Sequence, residues 1–301
     1  MKYLIKALLL FILSGFPFSI SIAQNWDSYK VTPQKLSEHI YMLTGVGGNI
    51  GLTVGEDGIF IIDDQFAQLN EKIKAAINSI QPGNVSMVIN THWHGDHTGG
   101  NKIFGEDGAI IIAQDNVRKR LKAGQISFFG DTIAPAPNKA LPILTFEQEV
   151  KLYLNGDSLD VFHVKNAHTD GDAVIRFTRS NIVHMGDNFF NGFYPVIDIA
   201  SGGSINGMIN AVNYVIDNKV VDGNTKIIPG HGPLGNLNEL KEFVKMLAGI
   251  RDNVLTLVNE GKSLNEVLEA KPGSKYDEKW GKGFIKPDSF IKTVYTDLSR
   301  K

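Results

Sequence analysis

Apolar and polar positions divide the chain into short β-prone runs and longer amphipathic segments. Residues 39–44, 49–54 and 58–62 are brief apolar-rich runs punctuated by glycine-bearing stretches at 45–48 and 55–58, a spacing that predicts an antiparallel meander. Phe66, Leu69, Ile73, Ile77 and Ile80 then recur at helical spacing. That helix is expected to begin after Asp63-Asp64, with Asp64 as its N-cap, and to stop at Gln81-Pro82-Gly83. Residues 85–89 form the apolar run of a buried strand, and a strand at 109–113 followed by a helix capped by Asp115 repeats the unit. Asn155-Gly156, between runs at 148–154 and 159–164, is a two-residue hairpin signal, and Ser180-Asn181 separates runs at 173–178 and 182–185. An amphipathic helix over 205–217, a short strand at 226–228 and an apolar helical stripe from Leu240 to Leu257 follow. Helices inserted between strands predict an α/β fold whose sheets carry helices on their outer faces. Residues 124–142 show no periodicity. There the pair Phe128-Phe129 is read either as the aromatic tip of a lid over substrate or as core side chains of a surface excursion.

The polar residues that break this pattern cluster at strand ends. His92, His94, Asp96 and His97 fall within six residues after the strand at 85–89, just before Gly99-Gly100. In an extended segment, residues two apart face the same side, so His92 and His94 can offer ring nitrogens to one ion, while Asp96 and His97 lie where the chain bends. Imidazole with carboxylate suits zinc, iron or manganese; calcium and magnesium prefer oxygen alone. His168 lies between the two predicted hairpins, Asp187 after the strand at 182–185, and His231 in Pro229-Gly230-His231-Gly232-Pro233 after the strand at 226–228. Loops at one edge of a layered sheet structure can converge on a single cleft.

Composition narrows the setting. Lys2 and Lys6 flank an apolar stretch that runs from Ala7 through Phe18 and ends in Ser21-Ile22-Ala23, which reads as a bacterial secretory signal over 1–23 cleaved before Gln24. The expected location is the periplasm or the exterior, with no stable membrane anchor after cleavage. The remaining 24–301 reads as one domain, with no linker or repeat. There is no cysteine, so neither disulfides nor a lipidated cysteine contribute. A net charge of −2 and the lack of a basic stretch argue against nucleic acid as the main partner and leave a small molecule as the expected one.

Thr91-His92-x-His94-x-Asp96-His97-x-Gly99-Gly100, then His168-Thr169-x-Gly171-Asp172, Gly186-Asp187 and Pro229-Gly230-His231-Gly232, in this order, resemble the metallo-β-lactamase superfamily over most of the chain after the signal. The resemblance implies an αββα sandwich of two mixed β-sheets flanked by helices. It implies that His92, His94 and His168 hold a first metal, that Asp96, His97 and His231 hold a second, and that Asp187 bridges them. Asp63 matches the family's early aspartate, which orients a ligand from behind. The implied cofactor is two Zn²⁺ per chain, with iron or manganese as the other metals the donors suit. The implied activity is hydrolysis by a metal-bound hydroxide of a β-lactam, lactone or ester-type carbonyl, with Asp96 or a second metal-bound water moving the proton.

Departures from known members bear on substrate. β-Lactamases with this first site carry cysteine where Asp187 stands and a lysine where Phe190 stands, and the basic residues that bind glutathione in glyoxalase II have no match in 189–195. Asn191 and Tyr194 follow Asp187 closely enough either to contact substrate or to pack. Thioester or phosphodiester hydrolysis is the alternative on the same fold. A di-iron oxidoreductase, in which glutamate is expected at position 94, and a non-catalytic exported metal-binding protein are the other readings.

Overall fold

The computed structural model describes residues 25–126 and 130–300; the expected signal segment and Phe128-Phe129 lie outside the described residues. Strands β1 (Thr32–Lys35), β2 (Ile40–Thr44), β3 (Ile50–Gly55), β4 (Gly58–Ile62), β5 (Val85–Ile89) and β6 (Ile110–Gln114), and, after a small hairpin of β7 (Gln125–Ile126) and β8 (Thr132–Ile133), strand β9 (Leu144–Phe146), form a seven-stranded sheet in chain order. Strands β10 (Glu149–Leu154), β11 (Asp157–His163), β12 (Ala173–Phe177), β13 (Ile182–His184) and β14 (Lys226–Ile228) form a five-stranded sheet, also in chain order. Both are mixed. β1 to β4 are antiparallel and β4, β5, β6 and β9 parallel, whereas β10 to β13 are antiparallel and β13 pairs β14 in parallel.

The helices are α1 (Asn70–Asn78), α2 (Gly95–Thr98), α3 (Asn101–Glu106), α4 (Asp115–Ala123), α5 (Ile205–Asp217), α6 (Leu237–Asn259), α7 (Leu264–Ala270), α8 (Ser274–Trp280) and α9 (Pro287–Leu298). Three apolar layers account for the arrangement. Met42, Ile62, Ile89 and Ile112 of the first sheet pack with Val161, Ile175, Phe177 and Ile228 of the second between the sheets. Leu52, Ile61 and Val88 on the other face of the first sheet pack against Ile73 and Ile77 of α1 and Phe104 of α3. Val174, Val183 and Ile227 on the other face of the second sheet pack against α5, α6 and α9. The central strands are buried on both faces, which is why they read as unbroken apolar runs. This is the α/β sandwich of mixed sheets flanked by helices.

Two helix starts differ from expectation. Asp64 does not cap the first helix: Asp63 and Gln65 have φ of 64° and 56°, so the chain turns inward before the helix can begin. Asp64 is fully buried, and its Oδ1 accepts the Gly100 N–H at 2.8 Å. A 3₁₀ turn, Ala67–Leu69, then leads into α1 without a side-chain cap. Likewise Asp115 is the first residue of α4, and Gln114 caps it by accepting the Asn116 N–H. The stripe from Leu240 belongs to α6, which starts at a reciprocal cap between Asn236 and Glu239.

The parallel pairs set the working edge: β4, β5, β13 and β14 all end there, and the loop entering β12 returns to it. The opposite edge is tied by Asn155, which has φ of 50° ahead of Gly156 at 75°, as a two-residue hairpin turn requires. Its Oδ1 accepts the Asp57 N–H at 3.1 Å and its Nδ2 donates to Gly58 O at 3.1 Å and Thr53 Oγ1 at 3.2 Å, so the tip of the second sheet locks onto the β3–β4 turn of the first. Asn155→Ala strands these buried groups and is expected to lower unfolding free energy by about 1–3 kcal/mol in urea denaturation, with cation binding at the far edge unchanged. An unchanged urea midpoint would refute the tie.

Candidate metal centre

Two groups of donor atoms meet at the working edge. His92, His94, His168 and Asp187 form one, Asp96, His97 and His231 the other, and within each group all donor atoms lie within 4.8 Å of one another. The sequence-predicted ligands are thus gathered in the two sets. His92 and His94 leave the end of β5, Asp96 and His97 lie on α2, His168 precedes β12, Asp187 follows β13 and His231 follows β14. Asp187 lies between the sets: one oxygen is 3.1 Å from His97 Nε2, the other 3.5 Å from both His168 Nε2 and His231 Nε2 and 3.8 Å from His92 Nε2. Backbone without side chains permits this crowding. A Cβ at Gly230 would sit 1.9 Å from Asp187 Oδ1, and one at Gly48 2.0 Å from the His97 ring.

Hydrogen bonds behind the rings choose which nitrogen faces inward. Asp63, strained at φ 64°, accepts the Thr91 N–H at 2.7 Å, the Thr91 hydroxyl at 2.8 Å and His97 Nδ1–H at 2.7 Å. The Thr91 hydroxyl proton goes to Asp63, so its oxygen, 2.9 Å from His92 Nδ1, accepts from that ring. One carboxylate therefore leaves Nε2 of His92 and of His97 directed inward. His168 Nδ1–H donates to Val196 O at 2.9 Å, which likewise frees Nε2. His94 is reversed: Nε2 lies 3.0 Å from Asp198 Oδ2, and Nδ1 faces His168 Nε2 at 2.9 Å. His231 is stacked on Phe190, centroids 5.1 Å apart, with Nε2 3.2 Å from Asp96 Oδ2. Sequence reasoning found Asp63 but missed Thr91, Val196 and Asp198; only the threonine beside His92 offered a local signal.

Burial and charge give the groups different protonation. Burial pushes His92 well below the usual histidine range and His168 down to about 4, so both are neutral and ready to ligate at pH 7. Burial opposes the proton on His97 and His231 too. There, however, the Asp187 and Asp96 carboxylates prevail, lifting His97 well above its usual range and His231 to about 9. Both carboxylates are held below the ordinary range despite burial, Asp187 chiefly by His97 and His231, Asp96 chiefly by His97. Burial also raises Asp198, but the hydrogen bonds from His94 and Ser201 outweigh it and hold its carboxyl at about 2.

The donor set fits a divalent cation of the zinc, iron or manganese kind. Nitrogen and carboxylate oxygen converge, and His92 Nε2 is buried without a hydrogen-bond partner, an arrangement that costs free energy unless a cation takes the lone pair. A cavity of about 1100 Å³ opens over the groups and is lined in part by His94, Asp96, Asp187 and His231.

Of the expected substrate contacts, Tyr194 does not reach this cavity. It is 1% exposed, donates to Asp277 Oδ1 at 2.7 Å and stacks on Phe290, because the loop after Asp187 dives under α8 and α9. Asn191 is buried and donates from Nδ2 to Pro233 O at 3.0 Å, bracing the His231 loop. Phe128 and Phe129 lie outside the described residues; from their loop, Asp131 and Ile133 line the cavity. Phe284, in the segment between α8 and α9, lines it too, a residue that no pattern in the sequence had singled out.

The family model described as Metallo-beta-lactamase superfamily matches residues 43–231. A probable metallo-hydrolase of Methanocaldococcus jannaschii is 29% identical over 202 residues, which are 64% of this chain and 91% of that protein. Among solved structures, a metallo-beta-lactamase from Pontibacter korlensis is similar with a TM-score of 0.60 and 16% identity, over 73% of this chain and 99% of its own. A double mutant of a sec-alkyl sulfatase is similar with a TM-score of 0.66 and 16% identity, over 88% of this chain and 50% of its own. At such identities the two structures speak for the fold alone.

Two outcomes test this electrostatic picture. Because His231 keeps its proton up to about pH 9 and His97 is also raised, a cation entering the Asp96, His97 and His231 group must displace protons. Its affinity should rise with pH up to about 9, with proton release visible as a buffer-dependent heat in titration calorimetry; a heat independent of buffer would refute the assignment. Asp198→Ala removes the partner of His94 Nε2 and should weaken cation affinity by about 10–100-fold, read by competition with a chromophoric chelator.

Proposed function

The chain belongs to the metallo-beta-lactamase superfamily and is a metallo-hydrolase with a histidine and aspartate metal site; from that premise we propose that it holds two zinc ions and hydrolyses a β-lactam, lactone or ester-type carbonyl. The observation that carries this reading is the position of Asp187, whose two oxygens lie 3.1–3.8 Å from histidines of both donor groups. His92, His94 and His168 would hold one ion, Asp96, His97 and His231 the other, and Asp187 both.

Bound divalent ions supply Lewis acidity, which brings the pKa of a water molecule from ~15.7 toward ~7 and polarises the attacked oxygen. The protein supplies the rest. Asp63 and Asp198 keep the ligating nitrogens aimed without rearrangement. Asp96 is a carboxylate at neutral pH whose side chain is 25% exposed, so it stands at the cavity floor where it can take a proton from the attacking water and return it to the leaving group. The closed packing behind His92, His97 and His168, all buried, excludes bulk water from the rear of the site. An N-terminal stretch patterned as a secretory signal supports export to the periplasm or exterior as the proposed location.

The test combines metal analysis with turnover. Zinc and iron are quantified on the same sample used to assay a chromogenic β-lactam, a lactone and an aryl ester. Turnover that a chelator abolishes and zinc restores is the expected result. His92→Ala and Asp187→Ala should each lose bound metal and turnover together, on the order of 10²-fold or more. Full activity in either variant would sink the ligand assignment, and visible absorption with tightly bound iron would favour redox chemistry instead.

A further inference from the structure

The hydrolase reading leaves the substrate's charge open, and the cavity walls address it. Among the described residues no Lys or Arg side chain lines the cavity, and its formally charged lining residues other than histidine are acids, Asp96, Asp187 and Asp131. The two lysines that flank Phe284 in the chain, Lys282 and Lys286, do not line it, and Lys286 Nζ donates to Gly283 O at 2.9 Å. Phe66, Ile133, Phe193, Val196 and Phe284 give the cavity a largely apolar lining beside the donor groups.

Phe284 is the informative member. The residue is 51% exposed, although large aromatic residues are usually covered. Yet it is not adrift: the ring stands edge-on to His231 at 5.8 Å and to Phe193 at 5.8 Å, so an apolar ledge adjoins a candidate ligand of the second group. A ligand group laid along this ledge removes apolar surface from water on both sides. A carboxylate on the same ledge, beyond reach of the cations, would lose hydration without gaining a Lys or Arg partner among the described lining residues.

Resting on the hydrolase reading, we propose that the site takes neutral carboxylic esters and lactones with an apolar acyl chain, seats that chain against Phe284, and discriminates against substrates that carry a remote carboxylate. Water adds across the acyl C–O bond: the carbon gains the hydroxyl oxygen, the C–O bond to the alcohol breaks, and the alcohol oxygen takes the proton.

A matched pair of six-carbon p-nitrophenyl esters isolates the charge. The zinc-loaded full chain is assayed with p-nitrophenyl hexanoate and with the mono-p-nitrophenyl ester of adipic acid, each corrected for spontaneous hydrolysis. The expected result is a kcat/KM at least about tenfold higher for the hexanoate. Phe284→Lys, which places a cation on the ledge, should shrink or invert that ratio about tenfold, mainly through KM, with zinc content unchanged. Phe284→Ala should raise KM for the hexanoate severalfold while changing KM for p-nitrophenyl acetate little. Equal or faster hydrolysis of the adipate ester by the unaltered protein overturns the charge selection and leaves the hydrolase reading standing. Ratios and KM values unmoved in both variants overturn the role of Phe284. Hydrolysis of neither ester, nor of any β-lactam or lactone, by a sample with zinc bound overturns the β-lactam, lactone or ester reading and this inference with it, and points to thioesters or phosphodiesters instead.

Discussion

The Asp63 carboxylate accepts three hydrogen bonds, two from Thr91 and one from His97, and in doing so fixes one imidazole in each donor group. His97 is held directly and His92 through the Thr91 hydroxyl, so removing this one acceptor would release both tautomers at once. Its position demands a left-handed backbone at residue 63, a conformation that costs a non-glycine residue roughly 1–3 kcal/mol and persists only where the surroundings enforce it. Those surroundings are the paired ends of β4 and β5, where Asp63 N–H also reaches Ile89 O at 2.9 Å. The strained turn that aims Asp63 is the same one that delays the helix after it.

The sandwich makes this arrangement possible by bringing loops from two sheets to one edge over a rigid interior. Asn49 Nδ2, from the start of the first sheet's β3, donates to Pro229 O and Gly232 O at 2.9 Å each and so pins the His231 loop of the second sheet. Gly230 closes the contact, because its backbone passes where any side chain would displace the Asp187 carboxylate. The asymmetric backing of the rings follows: carboxylate behind His94 and His97, hydroxyl behind His92, carbonyl behind His168. Each is supplied by whichever segment happens to pass at that depth.

This explains what could be read in advance. The donors lie in short motifs at the ends of apolar runs, so spacing and strand prediction together put His92, His94, Asp96 and His97 at one place, and the ordered set of motifs called up His168, Asp187 and His231. The sandwich followed because the interior strands are apolar on both faces. Asp198, Val196 and Phe284 left no such trace: each reaches the site by a tertiary path, about 100, 30 and 50 residues in sequence from His94, His168 and His231 respectively, and none belongs to a periodic segment. Tyr194 illustrates the converse. Proximity to Asp187 in sequence left both substrate contact and packing open, and the apolar demand of the α8 and α9 layer pulls its ring inward to Phe290.

The charge distribution gives the two groups unequal character even though both are built from the same residue types. His92 and His168 are neutral because burial, with further imidazoles crowding in, outweighs Asp187 at 3.8 and 3.5 Å and, for His168, Asp198 as well. His97 and His231 each have Asp187 and Asp96 within 3.1–3.6 Å, and His97 has Asp63 at 2.7 Å besides, and these carboxylates overcome the same burial. The carboxylate that His97 and His231 share beyond Asp187 is Asp96, which the bend into α2 turns toward the second group. Asp187 belongs to both. A cation placed against it on one side weakens its hold on the protons of the other, so the two halves are linked electrostatically through a single carboxylate.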